Sequence, residues 1–406
     1  MNPVNAWSPL RTGTYAVLWF AALVSNTGSW MHDLAAGWFM ATLNPTPAMV
    51  ALVQAATTLP VCLLALPAGT LADRMDKRRL LIFVQTAMLA AAALLGTLVL
   101  LGRAGTTTLL AVTFALGVGT AIMSPTWQSI IPKLVDREHL QPAVALHAVG
   151  MNISRAIGPA LAGAIIIAFG IAWPFLINAV SFLAVIAALW WWRPLPVPAA
   201  AGAARPSFLA AMRQGFLHAG ENPALANTLW RSVLFFIFGS CYWALLPLIA
   251  REQLQGGAGL FGVMVGCIGV GAVGGALLLP RWRARHGLDR IVAIGTVGTA
   301  FALAGFALLR VPVLGMVAAL LAGASWIASL SSLNVAAQLA VPDAMRARGM
   351  AMYTSVFYGC LAVGSIFWGQ VATHLGLTSA LLLAGGGAIL GLVPAARLPV
   401  RSAVAT

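Results

Sequence analysis

Of the nine acidic residues in this 406-residue chain, one, Asp33, lies deep within a long apolar run. A lone charge at that depth of a bilayer costs at least about 2.5–3.5 kcal/mol on insertion scales, so its carboxyl must be paired, protonated or turned to a water-filled cavity. Asn26, Ser29, Trp30, Asp33 and Gly37 follow the spacing 0, +3, +4, +7 and +11, which puts them along one face of a helix and makes that face a cavity wall. The natural counterion is Arg155, near the middle of another apolar run. Two chemistries follow from the pair. Protonating Asp33 would release Arg155 and change the charge of the cavity in each cycle, which is proton coupling; a static ion pair would only fix the packing. His32, about 100° around the helix from Asp33, is a third proton-coupling candidate and equally a structural histidine.

A wider set of polar and aromatic side chains inside apolar runs converges on the same cavity. Besides Asn26, Ser29 and Trp30 it comprises Ser124, Gln128, Arg231, Phe235, Trp243, Ser325, Ser329, Tyr353 and Phe357. Their i, i+4 spacings are also those of polar contacts between packed helices. Arg155 and Arg231 against Asp33 leave a formal excess of +1 within the runs, which disfavours an organic cation and suits a neutral or anionic amphiphile. The runs contain no carboxylate pair, no nucleophile beside a base and no metal-ligand spacing, and the chain has no Walker lysine motif. Neither an enzyme nor a metal or cofactor is therefore expected.

Composition sets the elements that must position these residues. With 61% apolar residues, 8% charged and a mean hydropathy of +0.92, the chain cannot hide its apolar surface in a water-soluble fold. A bilayer core takes about 20 helical residues to cross. Stretches of that length lie near 15–42, 48–72, 80–101, 107–131, 143–169, 173–192, 225–250, 258–280, 290–309, 312–340, 346–374 and 377–396. They lack the alternation of a spanning barrel, so the fold class is an all-α polytopic membrane protein with twelve transmembrane helices. The first run is too long for the core of a signal peptide and reads as the first span. Cys62, Cys241, Cys267 and Cys360 fall within spans and read as small core residues.

Charge sets the orientation. Eighteen bases fall in the tails and the connections of one side, against Arg103, Arg251 and Arg310 on the other, which fixes both termini in the cytoplasm. The net charge of +14 is accordingly a topology signal rather than a nucleic-acid surface. The chain also repeats itself: Gly69 and Gly275 open similar helix ends 206 residues apart, and Pro132 and Pro342 stand in similar loops 210 apart. Two parallel six-helix, pseudo-symmetric bundles follow, 1–192 and 224–406, joined by a Pro/Ala/Gly-rich cytoplasmic linker at 193–223.

"GTLADRMDKRR", from Gly69 to Arg79, resembles the signature between helices two and three of the major facilitator superfamily, with Asp76 where the usual second glycine stands. "SNTGSWMHDLAAGWF" and "QSIIPKLVDREHLQPAVALHAVGMNISRAIGPALAG" are similar to its bacterial branch of enterobactin exporters and macrolide-efflux proteins. Asp73 ends its own helix, where the macrodipole disfavours a carboxylate by about 0.3–1 kcal/mol, and helix eleven starts on the same side with Arg346 and Arg348. The resemblance implies that a contact between them shuts an inner gate. Gly69 would allow close helix approach there, while Arg74 and Arg78 serve the gate or the anionic lipid surface. "SRAIGPALAG", with Ser154, Gly158, Pro159 and Gly163, is similar to the superfamily's antiporter signature, with Ser154 and Ala162 replacing two glycines, and supplies a candidate hinge. The resemblance thus implies a monomeric, multi-pass protein of the bacterial inner membrane that exports drug- or siderophore-like amphiphiles by proton antiport with alternating access. A lysophospholipid flippase or an uptake permease would use the same fold.

Overall fold

The computed structural model describes residues 7–192, 222–342 and 345–399; residues 193–221 of the expected linker lie outside them. The described residues form long helices and no strand. In the first half these are α1 (Gly13–Leu43), α2 (Pro47–Arg74), α3 (Lys77–Leu100), α4 (Thr106–Ile130), α5 (Leu140–Phe169) and α6 (Ala172–Trp191). In the second, α7 (Pro223–Leu248) is followed by Ala258–Leu308, which bends at Gly287 (φ 74°, ψ 169°) into α8 (258–286) and α9 (288–308). Then come α10 (Pro312–Leu339), α11 (Arg346–Leu375) and α12 (Leu377–Leu390), the last prolonged by the short α13 (Leu392–Ala396). Among the described residues, ten helices are long and apolar enough to cross a membrane. Dividing one of them at Gly287 and adding α1, whose polar cavity face lowers its hydropathy, agrees with twelve spans.

Local chemistry starts and stops these helices. Pro47, Pro223 and Pro312 occupy the first helical turn, where the missing N–H is no loss. The Asp76 carboxylate accepts the Arg79 backbone N–H at 2.8 Å, so the residue replacing the signature glycine is the N-cap of α3. Gly170 and Gly376 end α5 and α11 at φ 98° and 86°, a conformation open to glycine, and stand in the register of the sequence repeat. One expectation fails. The loop foreseen beyond residue 280 is helical up to the bend, because Arg283 donates to Ser331 (2.6 Å) and Ser332 (3.1 Å) and holds the extension against α10.

Within the first half α1 packs against α5 and α6, and α3 against α4 and α6; in the second, α10 packs along both α8 and α9, and α12 against α9. Two seams join the halves, α2 on α11 and α5 on α8. One end of the molecule carries the basic connections at 77–79, 133–137 and 281–290, and is called the basic end below. At this end Tyr15 Oη donates to the Ala143 carbonyl (2.6 Å) and Trp19 Nε1 to that of Leu146 (2.9 Å), tying α1 to α5.

The bend at Gly287 also places Asp289 beside Arg231, which pairs with its carboxylate and donates to its carbonyl at 3.3 Å. Arg231 is 5% exposed and the Asp289 side chain 45%, so the two partners are not equivalent. Removing the carboxylate strands a buried cation, whereas removing the cation leaves an acid that water can solvate. Asp289→Ala should lower stability by about 2–4 kcal/mol and Arg231→Met by clearly less, an order readable from thermal unfolding of the purified variants in detergent.

Candidate functional site

The site is assembled on α1 by the way its neighbours occupy the rest of its surface. Towards α5, Thr27 Oγ1 donates to the Leu23 carbonyl (2.8 Å), and Ser154 Oγ lies 3.1 Å from both that carbonyl and Thr27 Oγ1. Gly158 brings the two backbones together there: a Cβ on it would lie 2.9 Å from the Thr27 carbonyl oxygen. Towards α6, the His32 ring meets Phe175 edge-on at 4.9 Å between centroids. The face left over is that of Asn26, Ser29 and Asp33. One turn further, Gly37 on this face touches Pro247 of α7 and Phe261 of α8, so the face looks into the space between the halves.

Asp33 is exposed on this face, which turns towards the second half. The expected ion pair with Arg155 is not formed, and among the described residues Asp33 has no ion-pair partner. Arg155 instead lies 5.2 Å above the Trp30 ring and within electrostatic reach of the Tyr358 phenol on α11. A guanidinium over an indole gains about 0.5–2 kcal/mol, and Gly158 is what lets Trp30 settle against α5 beneath it. Its Nε is buried without a hydrogen-bond partner among the described residues. His32 is 1% exposed with both ring nitrogens unpartnered among those residues, and turns away from the cavity.

The stretch from Ser154 to Gly163 bridges the halves. Ser154 and Gly158 serve the contact with α1, while a Cβ on Gly163 would lie 3.1 Å from the Ala258 carbonyl oxygen on α8. Reciprocally, a Cβ on Gly262 of α8 would lie 2.8 Å from the Pro159 carbonyl oxygen. All the glycine close approaches of this seam fall between Ala156 and Ile167, in the half away from the basic end; nearer that end, Val144, Val149 and Met151 of α5 are exposed. Other contacts across the halves lie on the same far side. Thr373 Oγ1 accepts the Ala48 N–H at 3.0 Å, and Arg251, on the π turn Ile249–Gln253 that ends α7, donates to the Ala41 carbonyl.

The remaining cavity candidates divide. Ser124 and Gln128 form an exposed stripe with Thr120 on α4. Phe235, Trp243 and Phe357 gather around Trp326 of α10 at ring-centroid distances of 5.6, 5.7 and 6.3 Å. Phe235 and Trp326 are buried in this cluster, Trp243 and Phe357 are its half-buried members, and Phe357 lies 4.8 Å from Tyr358. Sequence reasoning missed Trp326, because it stands among small residues that read as ordinary helix packing.

Ser325 and Ser329 are buried against the glycines of α9, and Tyr353 Oη donates to the Leu330 carbonyl at 3.2 Å, so these three hold helices together. Arg231 faces Asp289 rather than the cavity, which removes the expected excess charge: Asp33 and Arg155 remain, one of each sign. At the gate, the side chains of Asp73, Arg74 and Arg348, like the surroundings of Gly69, lie outside the described residues, and Arg346 is exposed. Arg78 is engaged elsewhere, donating to the Leu189 (2.6 Å) and Trp190 (3.0 Å) carbonyls at the end of α6.

A family model described as transmembrane secretion effector matches residues 4–406. The chain is 28% identical over 257 residues to the Staphyloferrin A transporter of Staphylococcus aureus, covering 63% of this chain and 64% of that protein. It is 26% identical over 280 residues to Enterobactin exporter EntS of Salmonella typhimurium, covering 68% and 64%. It thus spans slightly less than two thirds of the length of these relatives. Among solved structures, a bacterial homolog of the human lysosomal transporter Spinster, inward-facing and occupied, superposes with TM-score 0.76 at 13% identity, covering 98% of this chain and 99% of that one. The nucleoside transporter NupG gives 0.72 at 14% identity, covering 95% and 98%. At such identities the likeness concerns the fold.

Proposed function

The chain belongs to the transmembrane secretion effector family of the major facilitator superfamily, and from that premise we propose that it exports amphipathic, drug- or siderophore-like small molecules by proton antiport. The observation that carries the reading is Asp33, a cavity carboxyl with no ion-pair partner among the described residues. A carboxylate so placed can exchange a proton with whichever side the cavity faces, without first breaking a salt bridge. Arg155 stacked on Trp30 supplies the opposite charge, and Trp243 and Phe357, the half-buried edge of the Trp326 cluster, an apolar wall for the substrate's body. With charge balanced in the cavity, the aromatic wall rather than net repulsion is what selects an amphiphile. The names of the two relatives place siderophore-like compounds first in the panel to be tried.

The basic end is cytoplasmic on this reading, since clustered arginines stay on that side. The far-side contacts then close the outer mouth, and the parting of α5 from α8 opens the cavity inward. Transport requires the closed mouth to open in turn. Tethering Ala48→Cys to Thr373→Cys with a short bifunctional methanethiosulfonate, which joins each thiol through a disulfide, in a background without the native cysteines, should reduce transport at least about tenfold, with recovery on reduction. Undiminished transport through a quantitatively formed tether would overturn alternating access at this seam. The parent experiment is accumulation in inverted vesicles energised by a pH gradient, across siderophores, macrolides and dyes. Accumulation that collapses with an uncoupler supports antiport; gradient-independent movement points to a flippase or facilitator, and loss from preloaded vesicles to uptake.

A further inference from the structure

On the back of the first half, away from the central cavity, α3 and α6 enclose a groove of about 450 Å³ lined by Arg78, Arg79, Ile82, Phe83, Thr86 and Trp190. We propose that this groove is a binding site for an anionic phospholipid, with the phosphate on the two arginines and an acyl chain along Phe83.

The order of side chains along α3 is that of a phospholipid in one leaflet. Arg79, Ile82, Phe83 and Thr86 fall at 0, +3, +4 and +7, a single helical stripe that starts at the basic end and runs about 10 Å into the apolar span. Charge comes first and apolar surface second. Phe83 is 72% exposed and Trp190 64%, so the two rings form walls facing the lipid. Trp190 also begins a run of three tryptophans, the residue type that settles at the headgroup level.

The headgroup end is built rather than incidental. Arg78 donates through Nε to the Leu189 carbonyl and through one terminal nitrogen to that of Trp190, which pins its guanidinium across the α3–α6 junction at the mouth of the groove. Arg79 is exposed beside it, its backbone N–H held by the Asp76 cap. Asp76 accepts that N–H through its side chain, so the acid at this helix start is engaged with the backbone. Two adjacent guanidinium groups over an apolar trough are complementary to a phosphodiester with hydrocarbon attached, and a free anion would use only the first half of that complementarity.

The test is native mass spectrometry of the full chain released from nanodiscs of equal parts phosphatidylglycerol and phosphatidylcholine. Wild type should retain phosphatidylglycerol preferentially. Arg79→Gln, whose side chain holds no helix in place, should cut that preference roughly fivefold, the size of one interfacial charge. Arg78→Gln should do the same or more if it folds, and Arg103→Gln at the far end should change nothing. Inorganic phosphate at millimolar concentration should fail to displace the lipid. Equal retention of the two lipids, or a preference that survives Arg79→Gln, would overturn the proposal. Displacement by phosphate would reduce the site to an anion site, and retention of single-chain amphiphiles regardless of headgroup would make it a substrate surface; either result also rejects it.

Discussion

Replacing Asp33 with asparagine is expected to abolish proton-driven accumulation, lowering the initial rate in energised inverted vesicles by about a hundredfold or more while the protein stays folded. The substitution keeps the size of the side chain and removes its titration. The two functions that a membrane carboxyl can serve then separate cleanly. A carboxyl that only holds an ion pair would, on loss, strand its partner and destabilise the fold by several kcal/mol. Asp33 has no such partner among the described residues, because Arg155 lies over Trp30 instead. Loss of the carboxyl charge should therefore leave thermal stability unchanged or raise it, since an uncompensated charge in a span costs about 2.5–3.5 kcal/mol. Asp33→Glu, retaining the carboxyl on a longer arm, should keep part of the coupling. Full gradient-driven transport by the asparagine variant would end the role assigned to Asp33. A large drop in its melting temperature with coupling intact would return it to packing.

How much of this was legible in the sequence follows from what each signal measures. Hydropathy is a property of a single helix, and the apolar runs it marks coincide to within a few residues with most of the described helices, the extension past 280 excepted. The spacing of Asn26, Ser29, Asp33 and Gly37 marks one face of α1, distinct from those that meet α5 and α6, and Gly37 on it touches α7 and α8. Partners were harder. Arg155 lies near the middle of its span and Asp33 was the available acid, yet the guanidinium is captured by an aromatic ring on the same helix as that acid. Arg231 found Asp289, 58 residues away and beyond a bend that depends on one glycine's dihedral angles. Ser325 and Ser329 have the same spacing as a cavity stripe, and only the rotation of α10 against the glycines of α9 decides that they pack. Spacing gives a face; which neighbour that face meets depends on crossing geometry that lies outside any single helix. Arg78 makes the same point in the signature itself: the base bonds the last carbonyls of α6, a partner that no spacing within the signature indicates.

The second large effect should come from α8, where two glycines one turn apart differ in what they face. A Cβ on Gly262 would lie 2.8 Å from the Pro159 carbonyl oxygen and 3.2 Å from the Gly163 Cα, both backbone atoms that cannot swing aside. A Cβ on Gly266 would meet nothing within 4 Å. Gly262→Leu must therefore hold α5 and α8 apart on the far side, at the contact that closes the outer mouth, whereas Gly266→Leu has open space for the same side chain. Because packing of small residues is what binds helices in a bilayer, prising that contact open shifts the balance between the two cavity orientations without touching Asp33 or Arg155. The expected result is a fall in transport of at least about a hundredfold for Gly262→Leu, a smaller fall for Gly262→Ala, and near wild-type rates for Gly266→Leu. A reporter cysteine at Asn26, on the Asp33 face, separates this from simple misfolding. With the native cysteines removed, its labelling by a membrane-impermeant thiol reagent should decrease from the basic side in Gly262→Leu and increase from the far side. Unchanged labelling from both sides in a folded, inactive Gly262→Leu protein would mean that the α5–α8 contact does not govern the outer mouth. The far-side tether between positions 48 and 373 should produce the opposite labelling pattern, so the two perturbations bracket one equilibrium from both ends.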